Sequence, residues 1–232
     1  MTKLAITQPT YLPWLGYFQQ IKNSDIFVFL DNVQFEKQSW QSRNRIMNSS
    51  GDVFWLSVPV QNHSLHAKVN DISIASQNAN WQRKHIQSIK TCLGKTPYLD
   101  DVLSLVETCY AFKDESLIDL NIRLIKAVCS KMNIETPFYK ASELDVEGSR
   151  EQFLLNVCKF YKATQYNANA GSAGYLEDAR TQFELAGVHI KYQDWVHPVY
   201  RQHNATFVSH LSWIDAVGHL GFDAVSLLLN QP

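Results

Sequence analysis

An unbroken run of five apolar residues, Ile26 to Leu30, constrains the fold more than any other feature of this chain. A strand that is apolar at every position is typical of a parallel sheet covered by helices on both faces. A shorter strand is predicted at Lys3 to Thr7, and it ends near Pro9 because proline has no amide donor. Between the two strands, apolar residues recur at helical spacing over positions 14 to 21. Strand, helix and buried strand predict a βαβ unit, and therefore an α/β fold with a mostly parallel, Rossmann-like sheet.

The remaining elements follow from the same periodicities. Further strands are predicted at Phe54–Val60, Ile72–Ala75, Phe138–Ala141 and His189–Tyr192. Helices are predicted at Trp81–Cys92, Tyr98–Tyr110, Leu117–Met132, Arg150–Tyr161, Tyr175–Leu185 and Trp213–Leu220, and a small-residue loop at Ala170–Gly174. The sequence contains no internal repeat or low-complexity tract. We therefore expect a single α/β domain over residues 1–232, with a helical subregion at about 81–165 and a helical C-terminal part.

Charge and apolar patterning exclude several classes of function. The chain has 21 basic and 22 acidic residues, and its densest basic segment, Lys37 to Arg45, holds three cations. This balance argues against nucleic acid as a partner. No apolar run approaches the roughly 20 residues that span a bilayer, and residues 1–10 do not resemble a secretory signal, so no membrane insertion is expected. The four cysteines form no CxxC pair, which favours reduced thiols and a cytoplasmic protein.

The segment Gln8 to Phe18, QPTYLPWLGYF, is the first candidate for a binding site. It follows the first predicted strand and begins a helix, where free amide groups and the helix dipole favour an anion. The carboxyl end of a parallel strand is also the usual ligand crevice of an α/β sheet. The candidate binding residues are an amide, three aromatic side chains and a glycine that permits close approach, namely Gln8, Tyr11, Trp14, Tyr17 and Gly16. The alternative is an aromatic plug under the sheet, with the glycine serving helix packing.

Asp31 and Gln34 follow the buried strand directly. Polar side chains at the carboxyl end of that strand are predicted to face the same crevice as the first segment. Asp31 is a candidate catalytic residue and Gln34 a candidate binding residue. The alternative for Asp31 is a turn cap.

A polar segment with alternating arginines follows at Lys37 to Arg45. In an extended conformation, Arg43 and Arg45 lie on one face, and arginine suits bidentate recognition of phosphate or carboxylate. Lys37, Arg43 and Arg45 are therefore candidate phosphate ligands. The alternative is a solvated polar hairpin.

The histidines supply the candidate general bases. His85, His197 and His210 titrate in the range that suits proton transfer near neutral pH, although a histidine is also commonly a hydrogen-bonded structural residue. No HExxH or comparable spacing predicts a metal site. The sequence also lacks the GxSxG elbow, the P-loop and the GxGxxG fingerprint, which excludes the common nucleotide motifs.

Taken together, several blocks resemble the WbqC-like protein family. They are QPTYLPWLGYF, DIFVFLDNVQFEK, SWQSRNRI, GSAGYL and LSWID, in order from Ile6 to about Gly221. The resemblance implies an enzyme of bacterial surface-polysaccharide (O-antigen, lipopolysaccharide) biosynthesis. It further implies that glycine or another small acyl group is attached to the amine of a nucleotide-linked amino-dideoxy sugar. Asn44, Ser172 and Tyr175 lie in these blocks and join the candidate binding residues.

A second resemblance, to nucleotidylyltransferases and the pantothenate-synthetase group, concerns Trp14-Leu-Gly-Tyr17. That group has an HxGH signature at the corresponding place, and here Gly16 is kept while aromatic residues replace both histidines. It implies ATP, with magnesium, as a co-substrate of an amide ligase, the alternative being an acyltransferase that uses a thioester. His85, His210 and Asp31 are the expected catalytic residues, no tightly bound cofactor or structural metal is expected, and an oligomer remains open. The competing hypothesis is a non-catalytic module that binds a sugar nucleotide or a partner enzyme.

Overall fold

The computed structural model describes residues 1–75, 80–112, 116–203 and 206–230. Their strands are β1 Lys3–Thr7, β2 Ile26–Phe29, β3 Arg43–Met47, β4 Val53–Ser57, β5 Phe138–Lys140, β6 Gln165–Ala168 and β7 His189–Tyr192. Five of them form one parallel sheet in the order β5-β2-β1-β6-β7, while β3 and β4 form an antiparallel hairpin. The chain order therefore reverses beside β1, as in doubly wound folds. The predicted α/β fold with a mostly parallel sheet is confirmed.

The helices lie between and after these strands. They are α1 Leu15–Lys22, α2 Trp81–Leu93, α3 Leu99–Tyr110, α4 Leu117–Lys131, α5 Arg150–Phe160, α6 Ala173–Leu176, α7 Arg180–Leu185 and α8 Trp213–Leu228. The hairpin, α2, α3 and α4 all fall between β2 and β5. The helices with the strongest apolar periodicity, α2 to α4, begin and end within one residue of the predicted positions.

Helices cover both faces of the sheet, which explains its continuous apolar strands. Because side chains alternate along a strand, Ala5 and Phe27 face one cluster, which contains residues of α1 to α4, α8 and the hairpin. Leu4, Ile6 and Val28 face the opposite cluster, which contains residues of α5 to α7. Full burial of one large apolar side chain stabilises the fold by about 1.5–3 kcal/mol, so both layers contribute.

The structure contains two strands that are absent from the predicted set, β3 at Arg43–Met47 and β6 at Gln165–Ala168. The sequence of β6, QYNA, is mostly polar and lacks the apolar residues that indicate a buried strand. Tyr166 packs into the core, whereas Asn167 donates hydrogen bonds to the carbonyl of Asn23 and the hydroxyl of Ser24. Tertiary hydrogen bonds therefore stabilise this strand in place of an apolar repeat.

Four predicted elements differ by more than one residue from those observed. The strand predicted at Phe54–Val60 is β4, Val53–Ser57. Ile72–Ala75 makes isolated bridges instead of a strand, because Ser73 and Ile74 pair with different segments. The helix predicted at Tyr175–Leu185 is divided into α6 and α7. Helix α8 continues past Leu220 to Leu228, with a bend at Gly221, whose φ of 81° ordinary residues rarely adopt.

Among the described residues, no helix is long and apolar enough to cross a bilayer. All four cysteines are buried and none is in a disulfide. Burial raises the pKa of the Cys92, Cys129 and Cys158 thiols to about 12, so they remain protonated near neutral pH.

Candidate functional site

Three adjoining cavities lie at the carboxyl edge of the parallel sheet. The aromatic chamber, about 540 Å³, is lined by residues including Thr7, Thr10, Trp14, Tyr17, Trp40, Asn169, Trp195 and His210. The neck, about 240 Å³, is lined by residues including Gln8, Gln41, Ser172 and Tyr175. The cationic chamber, about 690 Å³, is lined by residues including Lys68, Val146, Arg150 and Phe153. Neighbouring cavities share lining residues, so the three adjoin along this edge, and we refer to them together as the crevice.

The order of the strands explains why the crevice is here. Gln8 follows β1, Leu30 follows β2, Asn169 follows β6 and Gln193 follows β7, and each of the four lines at least one of the cavities. The neck and the aromatic chamber lie where the strand order reverses, beside the ends of β1 and β6. In open α/β sheets this is the position at which ligands bind.

Trp14 forms the wall of the aromatic chamber beside the start of α1. Its ring centroid lies 4.6 Å from that of His210, 6.1 Å from that of Trp195 and 6.0 Å from the stacked His197. The indole also lies directly against Gly16, where a Cβ atom would overlap it. The indole of Trp14 therefore occupies the space that the absence of a side chain at Gly16 leaves. This agrees with the alternative in which the glycine serves packing.

Asn44 holds the loop between β1 and α1 in place. Its buried side-chain amide donates to the carbonyls of Tyr11 and Leu12, at 3.0 and 2.9 Å, and its Oδ1 accepts from the amide of Arg45 at 2.7 Å. Leu12 has a φ of 44°, a conformation that costs a non-glycine residue about 1–2 kcal/mol. Asn44 therefore positions the aromatic wall as well as lining the chamber.

A second set of buried amides holds the neck. Gln41 Nε2 donates to Gln8 Oε1 at 2.8 Å, which fixes one side chain of the neck. Asn121 of α4 donates to the carbonyls of Pro9 and Gln41, at 3.1 and 2.8 Å. The amides thereby connect the first loop, the segment before the hairpin and the helical layer.

Tyr11 and His85 lie in the core, outside the crevice. The Tyr11 hydroxyl is 2.7 Å from His85 Nδ1 and also forms a short hydrogen bond with the Tyr110 hydroxyl. Burial lowers the pKa of His85 to about 4, against a smaller opposing effect of a hydrogen bond with the Ser57 backbone. Tyr11 therefore anchors the loop after β1, and His85 takes part in a buried hydrogen-bond network. His85 thus has the structural role that is the alternative to a general base.

His210 is the predicted base that lines the aromatic chamber. Burial lowers its pKa, and the positive charge of Arg45 lowers it further. Its Nδ1 lies 2.8 Å from the hydroxyl of Ser209, and Arg45 Nη2 donates to its backbone carbonyl at 3.3 Å. Both effects favour the neutral imidazole, which is the form that can accept a proton.

Arg43 and Arg45 lie on one face of the hairpin, as their spacing predicts. The Arg43 guanidinium lies 4.0 Å from the ring centroid of Trp55, and that of Arg45 lies 5.6 Å from the ring of Trp40. Lys37 and Arg43 line a separate cavity of about 450 Å³. Arg45 is next to the aromatic chamber through its bond to His210, but neither arginine lines the crevice.

Asp31 and Gln34 make structural contacts at the edge of the crevice. The carboxylate of Asp31 is buried and accepts from the amide of Ser142 at 2.8 Å and from its hydroxyl at 2.6 Å. It thus ties the end of β2 to the turn after β5. Gln34 is exposed and donates to the carbonyl of Leu65 at 2.7 Å.

Ser172 and Tyr175, placed among the candidates by the family resemblance, both line the neck. The Ser172 hydroxyl donates to the carbonyl of Asn169 at 2.6 Å, so it orders the turn after β6. Tyr175 lines the cationic chamber as well. The crevice thus brings together part of the predicted set, namely Gln8, Trp14, Tyr17, Asn44, Ser172, Tyr175 and His210.

Other lining residues were not predicted from the sequence. Asn169 follows the unrecognised β6, and its amide donates to the Thr7 hydroxyl at 3.4 Å. Trp195 lines the aromatic chamber, and its buried Nε1–H has no hydrogen-bond partner among the described residues. Lys68 lies in a loop and Arg150 begins α5, and the position of both relative to the cavity depends on tertiary structure. The described residues include no group of three or more His, Cys, Asp or Glu that could hold a metal ion.

The fold and the crevice define a doubly wound α/β protein with adjoining cavities at the carboxyl edge of its sheet. Residues 8–227 match the model of the WbqC-like protein family, and the chain belongs to that family. It is 26% identical over 231 residues to the uncharacterized protein Rv1507c of Mycobacterium tuberculosis, covering 98% of each chain. No solved structure matches the chain significantly.

Proposed function

We propose that this protein acylates the amine of a nucleotide-linked amino-dideoxy sugar, as a cytoplasmic step of bacterial surface-polysaccharide biosynthesis. The observation that carries the proposal is the position of His210 against Trp14 in the aromatic chamber, where the strand order of the sheet reverses. Family membership supports the pathway, because the WbqC-like resemblance implies sugar acylation.

The lining of the aromatic chamber suits a deoxy sugar. Such a sugar has apolar faces that pack on indole rings, and Trp14, Trp40 and Trp195 present three of them. The side-chain amide of Asn169 offers a donor and an acceptor for its hydroxyl groups, and Gln193 offers its side-chain oxygen as an acceptor, because its Nε2 already donates to the carbonyl of Gly16 and to Gln19 Oε1. Apolar walls with a few convergent polar groups are the usual composition of a small-molecule site.

His210 supplies the proton acceptor. A sugar amine is largely protonated at neutral pH and must lose a proton before its lone pair can attack. His210 takes this proton, and the amine nitrogen then bonds to the acyl carbon to give a tetrahedral intermediate. The nitrogen loses its second proton to water or to the departing group as the bond between the acyl carbon and the leaving group breaks, with the electron pair going to the leaving group. If ATP with magnesium activates the acid, the carboxylate first displaces pyrophosphate from ATP to form an acyl adenylate, and AMP is then the leaving group. If the donor is a thioester, the leaving group is a thiolate.

The proposal is tested by incubating the protein with a panel of dTDP-amino sugars and glycine plus ATP, or with a glycyl thioester. Mass spectrometry detects the amide product. The His210→Gln variant is expected to lower turnover by a factor of about 10²–10⁴ while retaining sugar-nucleotide binding. The exposed His66→Gln variant is the matched control and should leave turnover unchanged.

Each outcome has a clear meaning. Binding of sugar nucleotides without product by either route would favour the non-catalytic module. Neither binding nor product across the panel would contradict both forms of the proposal.

A further inference from the structure

We infer that the cationic chamber binds the diphosphate and base of the nucleotide-linked substrate, while the sugar extends through the neck into the aromatic chamber. The inference rests on the proposed function and adds a binding site whose two charged ligands lie outside the predicted set. Its central residues are Lys68 and Arg150.

The connection between the cavities makes such an extended ligand possible. Gln8, Leu30, Leu154 and Tyr175 line both the cationic chamber and the neck. Thr7, Thr10, Trp40 and Asn169 line both the neck and the aromatic chamber. The cavities therefore adjoin in the order cationic chamber, neck and aromatic chamber, as an elongated ligand requires. The cationic chamber, at about 690 Å³, is in the size range of a ligand site.

The charges are divided between the two chambers. Two cationic residues, Lys68 and Arg150, line the cationic chamber together with one acidic residue, Glu151. The lining of the aromatic chamber contains no lysine, arginine, aspartate or glutamate. A ligand with an anionic end and a neutral end is therefore expected to place its phosphates in the cationic chamber.

The two cations are available to a ligand. Neither Lys68 nor Arg150 forms a salt bridge with any residue that the structure describes. They come from separate elements, since Arg150 begins α5 and Lys68 lies in the segment whose backbone pairs with Gln34. Cations placed on two elements that border one cavity are suited to a diphosphate, which presents several charged oxygens.

The apolar lining suits the base. Val33, Val146 and Phe153 line the same cavity as the two cations. The first backbone amides of α5, an 11-residue helix, begin at this cavity and add to its positive potential. The hairpin arginines are the competing assignment for the phosphates. Arg43, however, lies over Trp55 and lines a different cavity.

The test measures binding of dTDP, dTMP and thymidine by calorimetry, without any reaction. dTDP is expected to bind more tightly than dTMP, and thymidine most weakly. Lys68→Gln and Arg150→Gln should each weaken dTDP binding about tenfold or more, because each removes a charge-assisted hydrogen bond. Lys159→Gln, at the opposite end of α5, is the matched control and should bind dTDP as the unmodified protein does.

Two results would overturn the inference. One is dTDP binding that Arg43→Gln or Arg45→Gln weakens while Lys68→Gln and Arg150→Gln do not. The other is the absence of dTDP binding by a protein whose circular dichroism shows it to be folded. Either result leaves the proposed acylation to be decided by its own product assay, so the two failures are distinguishable. Thermal unfolding of each variant verifies that the folded state is retained.

Discussion

The indole of Trp14 occupies the space that a side chain at Gly16 would need. Trp14 precedes α1 and Gly16 is the second residue of that helix, so a bulky aromatic side chain folds back over the helix start. This contact sets the direction of the indole, and thereby the wall of the aromatic chamber that faces His210.

Gly16→Ala is expected to destabilise the protein by about 1–3 kcal/mol, because the added methyl group overlaps the indole and forces it to move. Urea denaturation measures the change. In a Trp14→Ala background the overlap is absent, so the same substitution should cost nothing, or stabilise by up to about 1 kcal/mol through helix propensity. Equal costs in the two backgrounds would show that the contact does not determine the choice of glycine.

Asn44→Asp is expected to be more destabilising than Asn44→Ala at pH 7. Alanine leaves the carbonyls of Tyr11 and Leu12 unpaired, which costs about 1–3 kcal/mol, whereas a carboxylate also brings negative charge against both oxygens. The difference should shrink at acidic pH, where the carboxyl group is protonated and can donate. Urea titrations at pH 7 and pH 4.5 test this, with the exposed Asn62→Asp as control.

The buried His85 predicts a loss of stability in acid. Burial lowers its pKa to about 4 in the folded protein, from 6.5 in an unfolded chain, and the hydroxyl groups of Tyr11 and Tyr110 face it. The folded state therefore binds fewer protons, and the stabilisation is complete above pH 6.5 and lost as the pH falls towards 4. The loss is at most about 3 kcal/mol.

His85→Gln should remove this part of the pH dependence, while the exposed His66→Gln should retain it. Urea denaturation at pH 7, 5.5 and 4 measures both variants. Because His85 lies outside the crevice, the folded His85→Gln protein should also retain its turnover. A pH profile of stability that is the same with and without His85 would contradict this explanation.

Arg45→Gln is expected to raise the pKa of His210, since the arginine charge is one of the two effects that lower it. The acidic limb of kcat/KM should move to higher pH, because the base is then protonated over a wider range. NMR titration of the imidazole gives the same answer independently of turnover. Arg43→Gln, on the same face of the hairpin, is the matched control and should leave the titration of His210 in place.

The sequence predicted those elements whose own side chains determine their structure. Residues 26–29 are apolar on both faces, and α4 has an apolar repeat and the cap residue Ser116, whose side chain accepts from the amide of Asp119. β6 was missed because its position depends on the hydrogen bonds of Asn167, which involve residues more than 140 positions away. Local pattern carries no information about such partners.

The same distinction applies to the crevice. The loop after β1 was predicted because the carboxyl end of a first parallel strand is a general position for ligands. His85 shares a helix face with Trp81, yet only the packing of α2 on α3 shows that this face is buried. Lys68 and Arg150 have no local signature at all, since two separate segments must meet before their charges share a cavity.

Thr7 and His210 line the same chamber although strands β2 to β7 lie between them in the sequence. A nascent chain on the ribosome therefore cannot form this chamber until His210 has been synthesised and has left the exit tunnel. Fragments that contain the first βαβ unit can form local structure without acquiring the site. Any ligand that binds in this chamber would therefore stabilise only those chains in which the two segments have come together.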